Sequence, residues 1–146
     1  MPAGQIESAL APLRLPDLEA LGLVELRDGL AHPRCLIRPA EGLLIASDPP
    51  SNEADCVLGY VPASETLMRL TVRRPAGRAL DVGTGCGIQR LLLARHSGTV
   101  DATDVNPRAL AFTSFNAELN GIGNVRCLEG SWFDPVEEER FDTIAC

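Results

Sequence analysis

The stretch Ala79-Leu-Asp-Val-Gly-Thr-Gly-Cys-Gly-Ile88 decides the fold of this chain. Its largely apolar start predicts a strand, its glycines predict a sharp turn off that strand, and Ile88 begins a segment with a helical pattern. Gly83, Gly85 and Gly87 free the backbone to turn and let a ligand approach main-chain N–H groups, where a β-carbon would collide. A strand, a glycine turn and a helix in this order predict a ligand site at the turn.

The residues on either side of this stretch alternate between strand and helix patterns. Strands that alternate with helical segments imply βαβ units with right-handed crossovers and a parallel sheet. We therefore predict an α/β protein with a Rossmann-like sheet. The predicted strands are residues 78–82, 99–103, 125–129 and 141–146, and the predicted helices between the first three are residues 88–95 and 107–120.

The first third of the chain shows shorter elements. A helix is predicted over residues 15–22, with Pro16 in its first turn and Gly22 at its end. Two hairpins are predicted over residues 24–32 and 35–47, each with a turn sequence between two strand-like runs. These elements predict a small appendage of a helix and hairpins before the regular α/β part.

The boundary between the two parts is predicted near residue 60. Asp48-Pro-Pro-Ser-Asn52 predicts a break in regular structure, and a helix that starts at Pro62 is expected to lead into the sheet. We therefore expect two domains, residues 1–59 and residues 60–146. For the first of these, a remnant of a substrate-recognition domain and a loosely packed extension remain alternatives.

Composition excludes several classes of function. The formal net charge is −7, and all thirteen basic residues are arginines. An acidic surface repels phosphate backbones, so this chain alone is expected to bind nucleic acid poorly. Without lysine there is no Schiff-base or P-loop lysine. No apolar run approaches the roughly 20 residues of a membrane span, so no membrane partner is expected.

Cysteine and histidine usage indicates the compartment and predicts no metal site. The cysteines are widely spaced and form no Cys-x-x-Cys pair, which predicts reduced thiols in a cytoplasmic protein. His32 and His96 lack metal-ligand spacing. Cys86 has no basic neighbour in sequence, so we interpret it as a small filler of the loop rather than a nucleophile. The five cysteines are Cys35, Cys56, Cys86, Cys127 and Cys146.

Two carboxylates narrow the choice of ligand. The negative charge of Asp81, directly before the turn, would oppose a pyrophosphate yet favour the ammonium or sulfonium of S-adenosylmethionine. The small residue that a dinucleotide-binding pattern needs after its second glycine is replaced by Ile88. Asp104 ends the second strand, as expected for a carboxylate that accepts both ribose hydroxyls. S-adenosylmethionine is therefore the predicted cofactor, and a nicotinamide nucleotide is the alternative.

Asp81-Val-Gly-Thr-Gly-Cys-Gly87 together with Asp104-Val-Asn-Pro-Arg-Ala-Leu110 resembles the class I S-adenosylmethionine-dependent methyltransferases over about residues 60–146. Gly130-Ser-Trp-Phe133 followed by Phe141-Asp-Thr-Ile-Ala-Cys146 is similar to the release-factor glutamine methyltransferases and related base N-methyltransferases. The resemblance implies a seven-stranded sheet, of which four strands are readable here in the order 3-2-1-4. The last of these would be an exposed apolar edge.

The resemblance also implies roles for individual residues. The glycine loop would hold the methionine portion, Asp104 the ribose, and the two residues after it the adenine ring. Ser131 would contact the adenine edge without the charge assistance of the commoner Asp, and Trp132 would contact its face or instead cap the sheet edge. The implied cofactor-binding residues are Asp81, Gly83, Thr84, Gly85, Gly87, Asp104, Val105, Asn106, Ser131 and Trp132.

The methyl acceptor is the remaining question. In the resembling families an Asn-Pro-Pro-aromatic motif follows the fourth strand, so it would begin after Cys146. We therefore expect no catalytic residue in this chain and expect the chain to be a piece of a longer protein. The implied reaction is N-methylation of a glutamine amide or a nucleic-acid base nitrogen, with the protein or nucleic-acid substrate unresolved. The alternatives are a nicotinamide-nucleotide-binding module and a non-catalytic adaptor that binds S-adenosylmethionine.

Overall fold

A computed structural model describes the backbone of residues 3–146 and the side chains from Gln5 onward. It divides into two compact units, a smaller one that ends at Leu36 and a larger one, Ile37–Cys146. The division lies earlier than the predicted boundary at residue 59. Among the described residues, no helix has both the length and the apolar character that a bilayer crossing requires.

The smaller unit contains two helices and one hairpin. Leu15 and Leu18 are its buried helical residues, and Pro16 lies in the first turn of its second helix, as predicted. Asp28 and Gly29 both adopt positive φ, 53° and 73°, which matches the twist of a tight two-residue hairpin turn. The first helix was not predicted. The elements are α1 (Ala3–Leu10), α2 (Leu15–Ala20), β1 (Val24–Arg27) and β2 (Leu30–Pro33), with β1 and β2 antiparallel.

The larger unit begins with a hairpin that asparagine side chains fasten to its last helix. The first elements are β3 (Leu36–Ala40), β4 (Leu43–Ser47) and α3 (Pro62–Leu70), and the last α-helix is α5 (Pro107–Leu119), which only a short 3-10 helix (Asp134–Val136) follows. Asn116 accepts from the N–H of Ala46 at 2.7 Å and donates to its carbonyl at 2.9 Å. Asn120 makes the same pair of bonds to Leu44. The helix therefore satisfies the free edge of β4, which explains why the hairpin belongs to the larger unit.

The central sheet has four parallel strands. They are β5 (Ala76–Val82), β6 (Ser97–Asp104), β7 (Val125–Glu129) and β8 (Thr143–Ala145), in the order β7-β6-β5-β8. This confirms the predicted order 3-2-1-4, although β8 is shorter than predicted. Asp81 is in register with Ala102 on one side and Ala145 on the other. The carboxyl ends of these strands therefore lie side by side, where ligands of open α/β sheets bind.

Helices cover one face of this sheet. Helix α4 (Ile88–Ala94) is buried along its whole length, and its Leu93 and Ala94 pack on Ala79 and Val100 of the central strands. Helix α5 packs beside it against β6 and β7. An all-buried helix directly after the glycine loop gives that loop a rigid base.

An ion-pair network occupies the opposite face. Asp101, with a side chain 4% exposed, accepts hydrogen bonds from Arg78 at 2.8 Å and from two nitrogens of Arg126 at 2.8 Å. Burial opposes its ionisation, yet the two arginines lower the pKa of Asp101 below its ordinary value. Glu139, in the β7 to β8 connection, also pairs with both arginines. The network therefore fastens that connection across the strands.

Candidate cofactor-binding site

A cavity of about 560 Å³ lies at the carboxyl ends of β5 and β6. Its walls are residues 56–59 with the first turns of α3, residues 81–86 with the start of α4, and the side chains of Asp104 and Asn106. Cavities of this volume hold cofactor-sized ligands. The two carboxylates singled out in the sequence therefore share one cavity.

The glycine loop adopts the backbone that its composition predicts. Gly83, Gly85 and Gly87 all have positive φ, at 69°, 56° and 83°. A β-carbon on Gly83 or Gly85 would meet nothing within 4 Å, so these two positions face open space beside the cavity. A β-carbon on Gly87 would lie 2.9 Å from Thr113. Gly87 is the N-cap of α4 and does not line the cavity; it lets α5 approach the loop closely.

Asp81 is a carboxylate held inside the protein. It is 2% exposed and accepts a hydrogen bond from the hydroxyl of Thr84 at 2.7 Å. Burial raises its pKa to about 6, against the lowering effects of the Thr84 hydrogen bond and the Arg90 charge. A buried carboxylate with a raised pKa would gain from a cation in the cavity, since the cation would stabilise its ionised form.

Asp104 joins the loops that follow β5 and β6. Its Oδ2 accepts from the N–H of Gly85 at 3.0 Å, and its Oδ1 accepts from the N–H of Asn106 at 2.9 Å. Each carboxylate oxygen has two lone pairs, so both can accept a further hydrogen bond from a ligand. The two backbone donors hold the carboxylate in one orientation at the cavity wall.

Of the two residues after Asp104, only Asn106 lines the cavity. It caps α5, because its Oδ1 accepts from the N–H of Arg108 at 2.9 Å. Its amide nitrogen donates to the carbonyl of Asp55 at 2.9 Å, which links it to the segment before α3. Val105 is 66% exposed and lies outside the cavity lining.

Ser131 and Trp132 also lie outside the cavity lining. They follow β7, and the carbonyl of Trp132 accepts from the hydroxyl of Thr103 at 2.9 Å, near the end of β6. The backbone of Trp132 has a φ of 48°, and the side chain is 67% exposed. An indole exposed to this extent covers little of the sheet edge, so the capping alternative is disfavoured. The pair is brought near the cavity end of β6 without entering the cavity.

One wall of this cavity was not predicted from the sequence. Residues 56–59 line it, and Gln89 on α4 donates to the carbonyl of Ser64 at 3.2 Å, joining α4 to α3. The only sequence signal for the wall was the break at residues 48–52, which suggested a loop without indicating its position. Cys86, which also lines the cavity, is buried, and that burial raises the pKa of its thiol. Both observations fit the interpretation of Cys86 as a filler of the loop.

The part of the chain that the structure describes holds no metal centre. Within residues 3–146, no group of three or more His, Cys, Asp or Glu side chains could hold a metal ion. The site that the structure assembles is therefore one of backbone N–H groups, two carboxylates and apolar walls.

Known proteins match this chain in sequence. The family model of the Methyltransferase small domain matches residues 61–146. Release factor glutamine methyltransferase of Salmonella typhimurium is 37% identical over 97 residues, which are 65% of this chain and 32% of that protein. Ribosomal protein L11 methyltransferase of Pelotomaculum thermopropionicum is 41% identical over 66 residues, 44% of this chain and 21% of that protein. The chain thus spans about a third or less of these relatives.

A solved structure matches the fold. Trm5b from Pyrococcus abyssi superposes with a TM-score of 0.60 over 83% of this chain and 38% of that chain, at 21% identity. An identity this low shows the fold alone. It confirms the predicted Rossmann-like α/β class.

Proposed function

This chain belongs to the Methyltransferase small domain family, and on that basis we propose that its larger unit is the cofactor-binding part of an S-adenosylmethionine-dependent methyltransferase. The observation that carries the proposal is the shared cavity of Asp81 and Asp104 beside two open, positive-φ glycines. The family match disfavours the nicotinamide alternative.

The residues present fit this cofactor. Asp81 would pair with the ammonium of the methionine portion, since a cation offsets the burial that raises its pKa. The open space at Gly83 and Gly85 leaves room for the ligand against the loop. The free lone pairs of Asp104 would accept the ribose hydroxyls. When bound, the cofactor would supply an electrophilic methyl group; the residues of this chain would bind and orient it and exclude water.

The acceptor we propose is a nitrogen atom, in a glutamine amide or in a nucleic-acid base. The names of the relatives, release factor glutamine methyltransferase and ribosomal protein L11 methyltransferase, support a protein substrate. The net charge of −7 points the same way, because it disfavours approach of a phosphate backbone to this part. A cytoplasmic location, expected from cysteines that are widely spaced and form no Cys-x-x-Cys pair, belongs to the same proposal.

Calorimetry with this chain tests the proposed cofactor. We expect S-adenosylhomocysteine to bind with a stoichiometry near one and to bind more tightly than NAD. Asp104→Ala should weaken binding by about tenfold or more, because a hydrogen bond to a charged group contributes roughly 1.5–3 kcal/mol. Glu118→Gln is the matched control, since Glu118 is an exposed carboxylate on α5 outside the cavity lining. Tighter binding of NAD, or a folded chain that does not bind S-adenosylhomocysteine, would contradict the proposal.

A further inference from the structure

We propose that the ion pair between Asp48 and Arg108 positions residues 56–59 as a wall of the cofactor cavity and thereby sets the affinity for the adenosyl cofactor. Neither member of the pair lines the cavity. The inference rests on the proposed function for the identity of the ligand, and it assigns a positioning role that the sequence did not suggest.

The wall needs an external support. Between the end of β4 and the start of α3, residues 48–61 form neither helix nor strand. A segment of this length without regular structure keeps one conformation only where side chains or its own backbone fix it. The part that lines the cavity, residues 56–59, therefore depends on the contacts that hold it.

Asp48 closes the segment into a loop. The N–H of Val57 donates to Oδ2 of Asp48 at 2.9 Å, and the N–H of Asp48 donates to the carbonyl of Val57 at 3.0 Å. The side chain of Val57 is 3% exposed and packs in the main hydrophobic core. The wall is thus attached at Val57, directly beside the cavity-lining Leu58 and Gly59.

Arg108 fixes Asp48 in turn. Its Nε donates to Oδ2 of Asp48 at 2.8 Å, and its Nη2 donates to Oδ1. A bidentate contact of this kind fixes the orientation of the carboxylate as well as its distance from the guanidinium. Arg108 also lies over the ring of Phe112, 5.4 Å from its centroid, which steadies the guanidinium. The hydrogen bond from Arg108 lowers the pKa of Asp48 despite its burial, so the carboxylate is ionised at neutral pH.

The support also couples the two sides of the cavity. Arg108 lies in the first turn of α5, two residues after the N-cap Asn106 and four after Asp104. Asn106 makes a second link to the same segment through the carbonyl of Asp55. The wall and the proposed ribose carboxylate are therefore held by one helix end. Loss of the ion pair would loosen the wall without removing the carboxylate, since the link from Asn106 to Asp55 and the burial of Val57 remain.

Affinity measurements with substituted chains test this role. We expect Arg108→Gln to weaken S-adenosylhomocysteine binding by about tenfold. This is the loss of apparent affinity that follows if residues 56–59 line the cavity in about a tenth of the variant molecules. Asp48→Asn should have a similar effect, and the double variant should be no worse than the more affected single one. Arg108→Lys keeps the charge but loses the bidentate contact, so its affinity for S-adenosylhomocysteine should lie between those of wild type and Arg108→Gln.

The matched control is Arg95→Gln. Arg95 also fastens a loop with its guanidinium, donating to the carbonyls of Glu41 and Gly42 at 3.0 Å and 3.3 Å, but that loop does not line the cavity. We expect this control to leave affinity within twofold of wild type. All measurements are made on chains whose circular dichroism shows them folded at the assay temperature.

Alkylation of Cys56 provides a readout that needs no ligand. Cys56 lies in the wall and is partly buried, with its thiol 3.8 Å from the carbonyl of Pro49. We expect N-ethylmaleimide to modify Cys56 several-fold faster in Arg108→Gln than in wild type or Arg95→Gln, as followed by peptide mass spectrometry. Unchanged Cys56 reactivity would overturn the inference, as would an Arg108→Gln affinity within twofold of that of a ligand-binding wild type. A wild type that fails to bind would instead refute the proposed function, and Cys56 reactivity would still test the wall.

Discussion

Replacement of Asp81 by asparagine should make the ligand-free protein more stable while weakening cofactor binding. Asp81 is 2% exposed, and burial raises its pKa from the ordinary 3.8 to about 6. Asparagine has nearly the same shape and keeps an oxygen that can accept the Thr84 hydroxyl, now 2.7 Å away. The substitution therefore removes mainly a buried charge, whose presence in wild type favours ligand binding over stability.

The size and sign of this effect follow from the two pKa values. Below about pH 3 Asp81 is protonated in the folded and the unfolded chain, and burial of the neutral group carries no charge penalty. As the pH rises from 4 to 6 the unfolded chain releases the proton first, so the free energy of unfolding falls. Above about pH 7 the loss is complete and amounts to about 3 kcal/mol, at 1.36 kcal/mol for each pKa unit.

Urea unfolding followed by circular dichroism from pH 4 to pH 8 measures this directly. We expect the advantage of Asp81→Asn over wild type to grow from about 0.5 kcal/mol at pH 4 to about 3 kcal/mol at pH 8. Comparison with wild type at each pH cancels the contributions of the other titrating groups. Glu118→Gln, at an exposed carboxylate, should stay within about 0.5 kcal/mol of wild type throughout.

Two results would refute the reasoning about Asp81. One is a difference in unfolding free energy that does not change between pH 4 and pH 8, since the difference must follow the titration of a buried carboxyl. The other is an Asp81→Asn chain that binds S-adenosylhomocysteine as tightly as wild type at pH 8, because the charge would then have no part in binding.

Three further outcomes are expected. Calorimetry should show wild type binding S-adenosylhomocysteine about tenfold more weakly at pH 5 than at pH 8, because only about a tenth of Asp81 is ionised at pH 5. Equal affinities at the two pH values would contradict the pairing of Asp81 with the ligand ammonium. In urea unfolding, Gly87→Ala should cost about 3 kcal/mol, because the new β-carbon would lie 2.9 Å from Thr113 at a φ of 83°. Gly121→Ala, with a φ of 66° and open space, should cost only about 1 kcal/mol; equal losses would rule out the close contact. Asn116→Ala should cost about 3 kcal/mol in the same assay, because it leaves buried backbone groups of β4 and the glycine loop unpaired.

Much of the sheet could be predicted because its signals are local. The strands from β5 onward alternate with helical segments along the chain, and α5 carries its own start signal, Pro107 at its beginning. The family resemblance implied the strand order 3-2-1-4, and parallel βαβ connections allow few other arrangements. The structure confirms this order. The unit boundary did not follow in this way. It depends on Asn116 and Asn120, which in sequence resemble ordinary polar residues of an exposed helix.

The binding site divides in the same manner. Asp81 and Asp104 could be placed in one cavity from sequence, because each lies at or next to the carboxyl end of a strand and neighbouring parallel strands end at one edge. The predictions for Val105, Ser131 and Trp132 stay predictions, since all three lie outside the cavity lining. The wall at residues 56–59 was missed because it lies in a segment with no periodic pattern.

The sequence by itself determined the glycine loop, the strand that leads into it and the two carboxylates, because local backbone preference and residue spacing specify these features. Tertiary structure alone decided what surrounds them. It buried Asp81 deeply enough to raise its pKa to about 6. It also brought Asp48 against Arg108, 60 residues away in the chain. Burial and long-range pairing depend on where distant segments meet, and the chemistry of this loop depends on both.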